Sequence, residues 1–194
     1  MSDSISDAAR ILKENSVANE LLNNCEYAAA EPLLRQAVEG KKELNNAETW
    51  MWMRRLAECQ VELGNFEEAA DVARDAARAL NIKFGPIDED TLDCQYLYAM
   101  SLYRLGKVPE AAPVAAQAFE GFIECSKRGP DHVTTMKCKA LYARTLKQSD
   151  PAKSGELISE ITAALERPVA PPQGRQMTGA EIRGPEAVKA ILAA

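Results

Sequence analysis

The chain has 194 residues, 46% of them hydrophobic but only 6% aromatic, and alanine is prominent. Its length suits one well-cored domain with some tail, and its composition favours close helix–helix packing over a β-sandwich, which would draw on Val, Ile, Thr and aromatic side chains. A net charge of −6 and a pI near 5.0 argue against a general nucleic-acid binder.

The opening stretch MSDSISDAARILKENS is acidic and polar, without the apolar core of a secretory signal. No apolar run is long enough to span a membrane. Cys25, Cys59, Cys94, Cys125 and Cys138 are odd in number and widely spaced, with no C-x-x-C pair for zinc or redox chemistry. They read as reduced thiols of a cytoplasmic protein.

In chain order, helical periodicity and breaker residues predict α1 over about 5–23, α2 over 27–42, α3 over 48–63 and α4 over 66–82. Next come α5 over about 89–105, α6 over 108–127, α7 over 132–147 and α8 over 151–166. In α3, Met53, Leu56, Ala57 and Gln60 share a face; in α4, Phe66, Ala69, Ala70, Ala73, Ala76, Ala77 and Leu80 do. Gly64 stands where a left-handed residue would close α3 and start α4. Pro109 and Pro151 fall in first turns, where a missing N–H costs nothing, and Asp150 is a candidate N-cap.

These helices are copies of one hairpin. A shift of 42 maps Thr49, Ala57, Leu63, Gly64, Ala69 and Ala76 onto identical residues at Thr91, Ala99, Leu105, Gly106, Ala111 and Ala118. A backward shift of 39 carries Ala57, Phe66, Ala69 and Ala76 onto Ala18, Tyr27, Ala30 and Ala37. A shift of 44 carries Gly85-Pro86, Thr91, Leu97 and Ala99 onto Gly129-Pro130, Thr135, Leu141 and Ala143. The expected fold is therefore all-α, a right-handed solenoid of four helix-turn-helix repeats over residues 1–166. The repeated alanines mark close helix approaches. The last copy is degraded: a shift of 43 puts Ile158, Ile161 and Leu165 where Ala115, Ala118 and Phe122 stand. Residues 167–185, rich in proline and glycine, read as a flexible linker. Residues 186–194 read as a short amphipathic helix, α9, with Val188, Ile191 and Leu192 on one stripe.

The copies resemble tetratricopeptide repeats, and specifically the long version found in kinesin light chains. The residues that carry the resemblance are Leu63-Gly64-Asn65-Phe66-Glu67-Glu68-Ala69-Ala70 with Ala76 and Leu80, and the loops Lys83-Phe84-Gly85-Pro86 and Gly129-Pro130-Asp131-His132. The chain lacks the heptad coiled coil of a true light chain, so the resemblance is to the repeat module. It implies an adaptor whose first helices line a concave groove for a partner peptide or helix.

Carried over by position, the groove face of α1 would present Leu12, Asn15, Asn19 and Asn23, and that of α3 Met51, Arg54, Arg55, Glu58 and Glu62. In α5 it would present Asp93, Tyr96, Met100, Tyr103 and Arg104, and in α7 Lys137, Ala140, Arg144 and Lys147. Asparagines both donate to and accept from a peptide backbone. Six cations against Glu58, Glu62 and Asp93 favour an acidic peptide or a carboxylate terminus, and Tyr96, Tyr103 and Met100 add an adaptable apolar surface. The opposing reading is an ordinary solvated helix face. The basic positions of a chaperone-type carboxylate clamp fall on Asp93 and Leu97, which do not fit it.

No residue pattern calls for catalysis, metal or cofactor. His132 is the only histidine and has no nucleophile placed near it in sequence. Trp52 and Met53 are expected in the core, and Trp50 and Met51 at an interface. The leading expectation is thus a non-enzymatic scaffold binding a protein partner in its groove. One alternative is a structural subunit held by its outer faces and tail. Another is a regulatory repeat domain whose tail helix lies in its own groove.

Overall fold

The computed structural model describes residues 16–41, 47–125, 129–130, 132–166 and 179–193. Every described element is helical. α1 runs through residues 16–23, and the others are α2 Tyr27–Lys41, α3 Ala47–Leu63, α4 Phe66–Phe84, α5 Glu89–Arg104, α6 Val108–Glu124, α7 Val133–Leu146, α8 Pro151–Leu165 and α9 Gly179–Ala193. Consecutive helices from α2 to α8 pack on one another, and α5 also touches α3 and α7. The odd-numbered helices thus form the closer row, and the stack curves with that row inside.

The first three tight turns share one backbone solution. Asn65 N–H donates to the Gln60 carbonyl at 2.8 Å, and Lys107 N–H to that of Leu102 at 2.9 Å. Gly64 and Gly106 take φ of 83° and 76° to permit it. The first repeat makes the same bond, Glu26 N–H to Leu21 at 2.8 Å, but its left-handed residue is Cys25 at φ 59°. Helix starts are capped at equivalent places. The Asp88 carboxylate accepts from Asp90 and Thr91 N–H at 3.1 and 3.3 Å, and His132 Nδ1 accepts from Thr134 N–H at 3.2 Å. The sole histidine therefore closes a helix end. Asp150 accepts from Lys153 N–H at 3.0 Å, as its position suggested.

Most of the repeated alanines lie in the core. Ala18, Ala57, Ala99, Ala143, Ala76 and Ala118 are all buried. Ala37 is only half-buried. Trp50 lies against Ala76, Ala77, Leu80 and Cys94, so it belongs with the core rather than an interface; Trp52 is buried, Met53 packs beside Trp50, and Met51 is exposed.

The tail helix starts earlier than its apolar stripe suggested, and residues 167–178 of the expected linker lie outside the described residues. Helix α9 begins at Gly179, inside the stretch read as linker, and contains Pro185. Within a helix a glycine costs about 1 kcal/mol and a proline about 3 kcal/mol relative to alanine. Tertiary packing outweighs that propensity here, because α9 lies against α7. At Gly184 a Cβ would meet Val133 Cγ1 at 2.4 Å, so only glycine allows this approach. Val188, Ile191 and Leu192 share an apolar cluster with Met136 and Ala140 of α7 and Ile161, Ala164 and Leu165 of α8. The bulkier residues of the fourth repeat face this added helix.

Candidate partner-binding groove

On the inner row, Glu58, Val61 and Glu62 of α3 face Tyr96, Leu97, Met100, Tyr103 and Arg104 of α5 across a cavity of about 410 Å³. Lys137 of α7 and Ala187, Ala190 and Ile191 of α9 close it, and Phe66 lies at the turn end. The i, i+4 and i+7 spacing of Tyr96, Met100 and Tyr103 puts them on one face of α5. Met100 and Leu97 are buried and form the floor with half-buried Tyr96 and Val61. The structure thus brings together Glu58, Tyr96, Met100, Tyr103, Arg104 and Lys137 from the expected face.

The expected basic surplus is not found in the lining of this cavity. Arg54 is largely enclosed, with Nε 3.0 Å from Asp90, and Nη1 3.6 Å from Asp93 and 3.9 Å from Glu58. Burial opposes its charge, and Asp93, Glu58 and Asp90 more than offset that, so its pKa stands above the ordinary guanidinium value. Arg54 and Asp93 therefore bind α3 to α5, and both also line a second, smaller cavity of about 190 Å³ with Glu58, Tyr96, Thr134 and Lys137. Arg144 is also engaged: Nε donates to the Tyr103 hydroxyl at 3.1 Å, and Nη1 to the Leu192 carbonyl of α9 at 3.3 Å. Around the cavity two acids, Glu58 and Glu62, balance two cations, Arg104 and Lys137. The Glu62 pKa is raised first by burial and further by Glu58, with Lys137 and Arg104 opposing. Arg104 stacks over Phe66, 4.5 Å from the ring centroid.

The asparagine ladder is less free than its spacing suggests. Arg55 Nη1 donates to Asn19 Oδ1, and Arg55 also lies over Trp52, 5.6 Å from the ring centroid. Asn23 has interactions of its own; Leu12 and Asn15 lie outside the described residues. Lys147 is exposed beyond α7. Ala140, expected on the open face, is fully buried beneath α9. Positional reasoning missed Val61, Phe66 and Leu97 in the cavity lining, and also Ala187, Ala190 and Ile191 of α9, for which the stripe at 188, 191 and 192 was the signal of a docked tail.

Comparison with known proteins places the repeats. Residues 18–81 match the model of a tetratricopeptide repeat family. No curated protein sequence matches the chain. Among solved structures, the chain is similar to nearly identical TPR-like repeats of a Podosopora anserina protein described as a kinesin light chain. The identity is 16%, the TM-score 0.66, and the match covers 95% of this chain and 84% of that one. A point-substituted form of the same protein gives 18% and 0.68, with the same coverage. BtubC (BKLC) from P. vanneervenii gives 17% and 0.66, covering 99% of this chain and 75% of that one. At these identities the likeness is one of fold, a tetratricopeptide-repeat solenoid.

Proposed function

We propose that this chain, an α-solenoid of tetratricopeptide repeats of the long, kinesin-light-chain-like type, is a cytoplasmic scaffold that holds a partner polypeptide in the groove between α3 and α5. Repeat solenoids of this kind serve protein–protein interaction, and an ordered concave face suits them to it. The observation that carries the reading is the cavity itself: an apolar floor of Val61, Leu97 and Met100 under a rim of Glu58, Glu62, Tyr103, Arg104 and Lys137. A floor and rim of this kind suit an apolar anchor side chain flanked by polar or mixed-charge residues. With acids and cations balanced, the groove gives no preference for an acidic peptide. The five cysteines carry free thiols, consistent with a reducing compartment. Among the described residues, no helix is long and apolar enough to cross a membrane.

The reading is tested by a photo-crosslinking amino acid placed in turn at Glu62, Arg104 and, on the outer face, Arg74. A partner captured from 62 and 104 but not from 74 is the expected result. Capture from 74 alone would overturn the groove assignment. That outcome favours the second reading, a subunit held by its outer surface. Its own support is the exposed Ile82 and Phe84 in the last turn of α4, Ile87 just after it and Ile123 at the end of α6, on the edge where both outer helices end.

A further inference from the structure

Helix α9 does not extend the stack. It packs on α7, inside the curve, and its Ala187, Ala190 and Ile191 form one wall of the groove cavity. Its seat reads the helix at three places. Val133 admits no side chain at residue 184. Met136, Ala140 and Ile161 bury Val188, with Ile191 and Leu192 packed beside it. Arg144, held by the Tyr103 hydroxyl, donates to the Leu192 carbonyl near the helix end. The guanidinium thus gives α9 a charged hydrogen-bond donor beside its apolar stripe.

The occupant is poorly suited to hold its own shape. Fifteen residues is near the length at which isolated helices are marginal in water, and α9 carries Gly184-Pro185 within it. Its helicity therefore depends on the seat, and leaving the seat means unfolding. The seat is different: α7 and α8 are joined by their own packing and by Ser154 Oγ donating to the Ala143 carbonyl at 2.8 Å.

We infer that the α7 face beneath α9 is a helix-receiving site whose ligand is a short amphipathic helix of a partner protein. That helix carries a small residue facing Val133, aliphatic residues four, seven and eight positions later, and a main-chain carbonyl within reach of Arg144. The chain's own α9 is a weaker copy that the partner displaces. This deepens the scaffold reading by naming the ligand of the α7 sector, but its test does not depend on the α3–α5 cavity.

A fluorescent peptide of residues 179–194 with Pro185→Ala serves as the probe. It is titrated into the full wild-type chain and into full-length Gly184→Leu, whose leucine would strike Val133 and unseat α9. The peptide should bind the Gly184→Leu chain at least tenfold more tightly than wild type, and a peptide that also carries Gly184→Leu should bind neither. Equal affinity for both chains, or no binding to a folded Gly184→Leu chain, would overturn the inference. Should Gly184→Leu not fold, hydrogen exchange on the wild-type chain decides: α9 amides must exchange at least tenfold faster than those of α7, and equal protection would refute a displaceable helix. Failure here with groove crosslinks intact at 62 and 104 leaves the scaffold reading standing; the reverse pattern leaves this site standing alone.

Discussion

Arg54 shows how far one side chain can move between a sequence position and a physical role. By spacing it belongs to a ligand-facing row; in the fold it sits among Asp90, Asp93 and Glu58 and ties α3 to α5. Removing one partner from such a cluster strands the others, at a cost of about 3 kcal/mol. Arg54→Met should therefore lower the urea midpoint markedly; an unchanged midpoint would mean the cluster is solvated. Cys25 makes the opposite case. It occupies the left-handed turn position that Gly64 and Gly106 fill in later copies, and a non-glycine residue there is strained by about 1 kcal/mol. Against that strain stands the Tyr27 hydroxyl donating to its Sγ at 3.2 Å, a weak bond. Cys25→Gly should raise the melting temperature slightly. A fall would show that the sulfur contact matters more than the backbone.

At the scale of elements, small residues decide how closely helices meet. Ala57 is completely buried with Ala73 and Leu97, so Ala57→Leu should overpack the α3–α4 contact at about 1–3 kcal/mol and lower the thermal midpoint. A melting curve that overlays wild type would mean that this contact can give way. The helix pairs were legible from the sequence because local signals agreed: apolar period, alanine positions, Leu-Gly turns and caps such as Asp150. Helix α9 was legible only in part. Its apolar stripe was visible, but Gly184-Pro185 reads locally as a break, and only Val133 on a distant helix accounts for the glycine.

For the whole molecule, a groove carboxylate ties stability to pH. Glu62 has a raised pKa, so its ionised form is disfavoured in the fold, by burial first. A carboxylate of this kind withholds stability above its folded pKa and restores it as pH falls toward the unfolded value of 4.5. Glu62→Gln should therefore raise the melting temperature at pH 7, with the gain shrinking as pH falls through the raised pKa to below 4.5. A gain independent of pH would point to a cause other than ionisation. Taken alone, the sequence determined the all-α class, the repeated hairpins and their Leu-Gly turns, because each of these rests on periodicity and local backbone chemistry, whereas the row of helices that lines the inner face was implied by the family resemblance. Only the tertiary structure decided which inner cations are neutralised and that the tail helix covers Ala140 and borrows Arg144. Those outcomes depend on partners many positions away, Arg54 with Asp90 and Arg144 with Leu192, and no spacing within one helix encodes them.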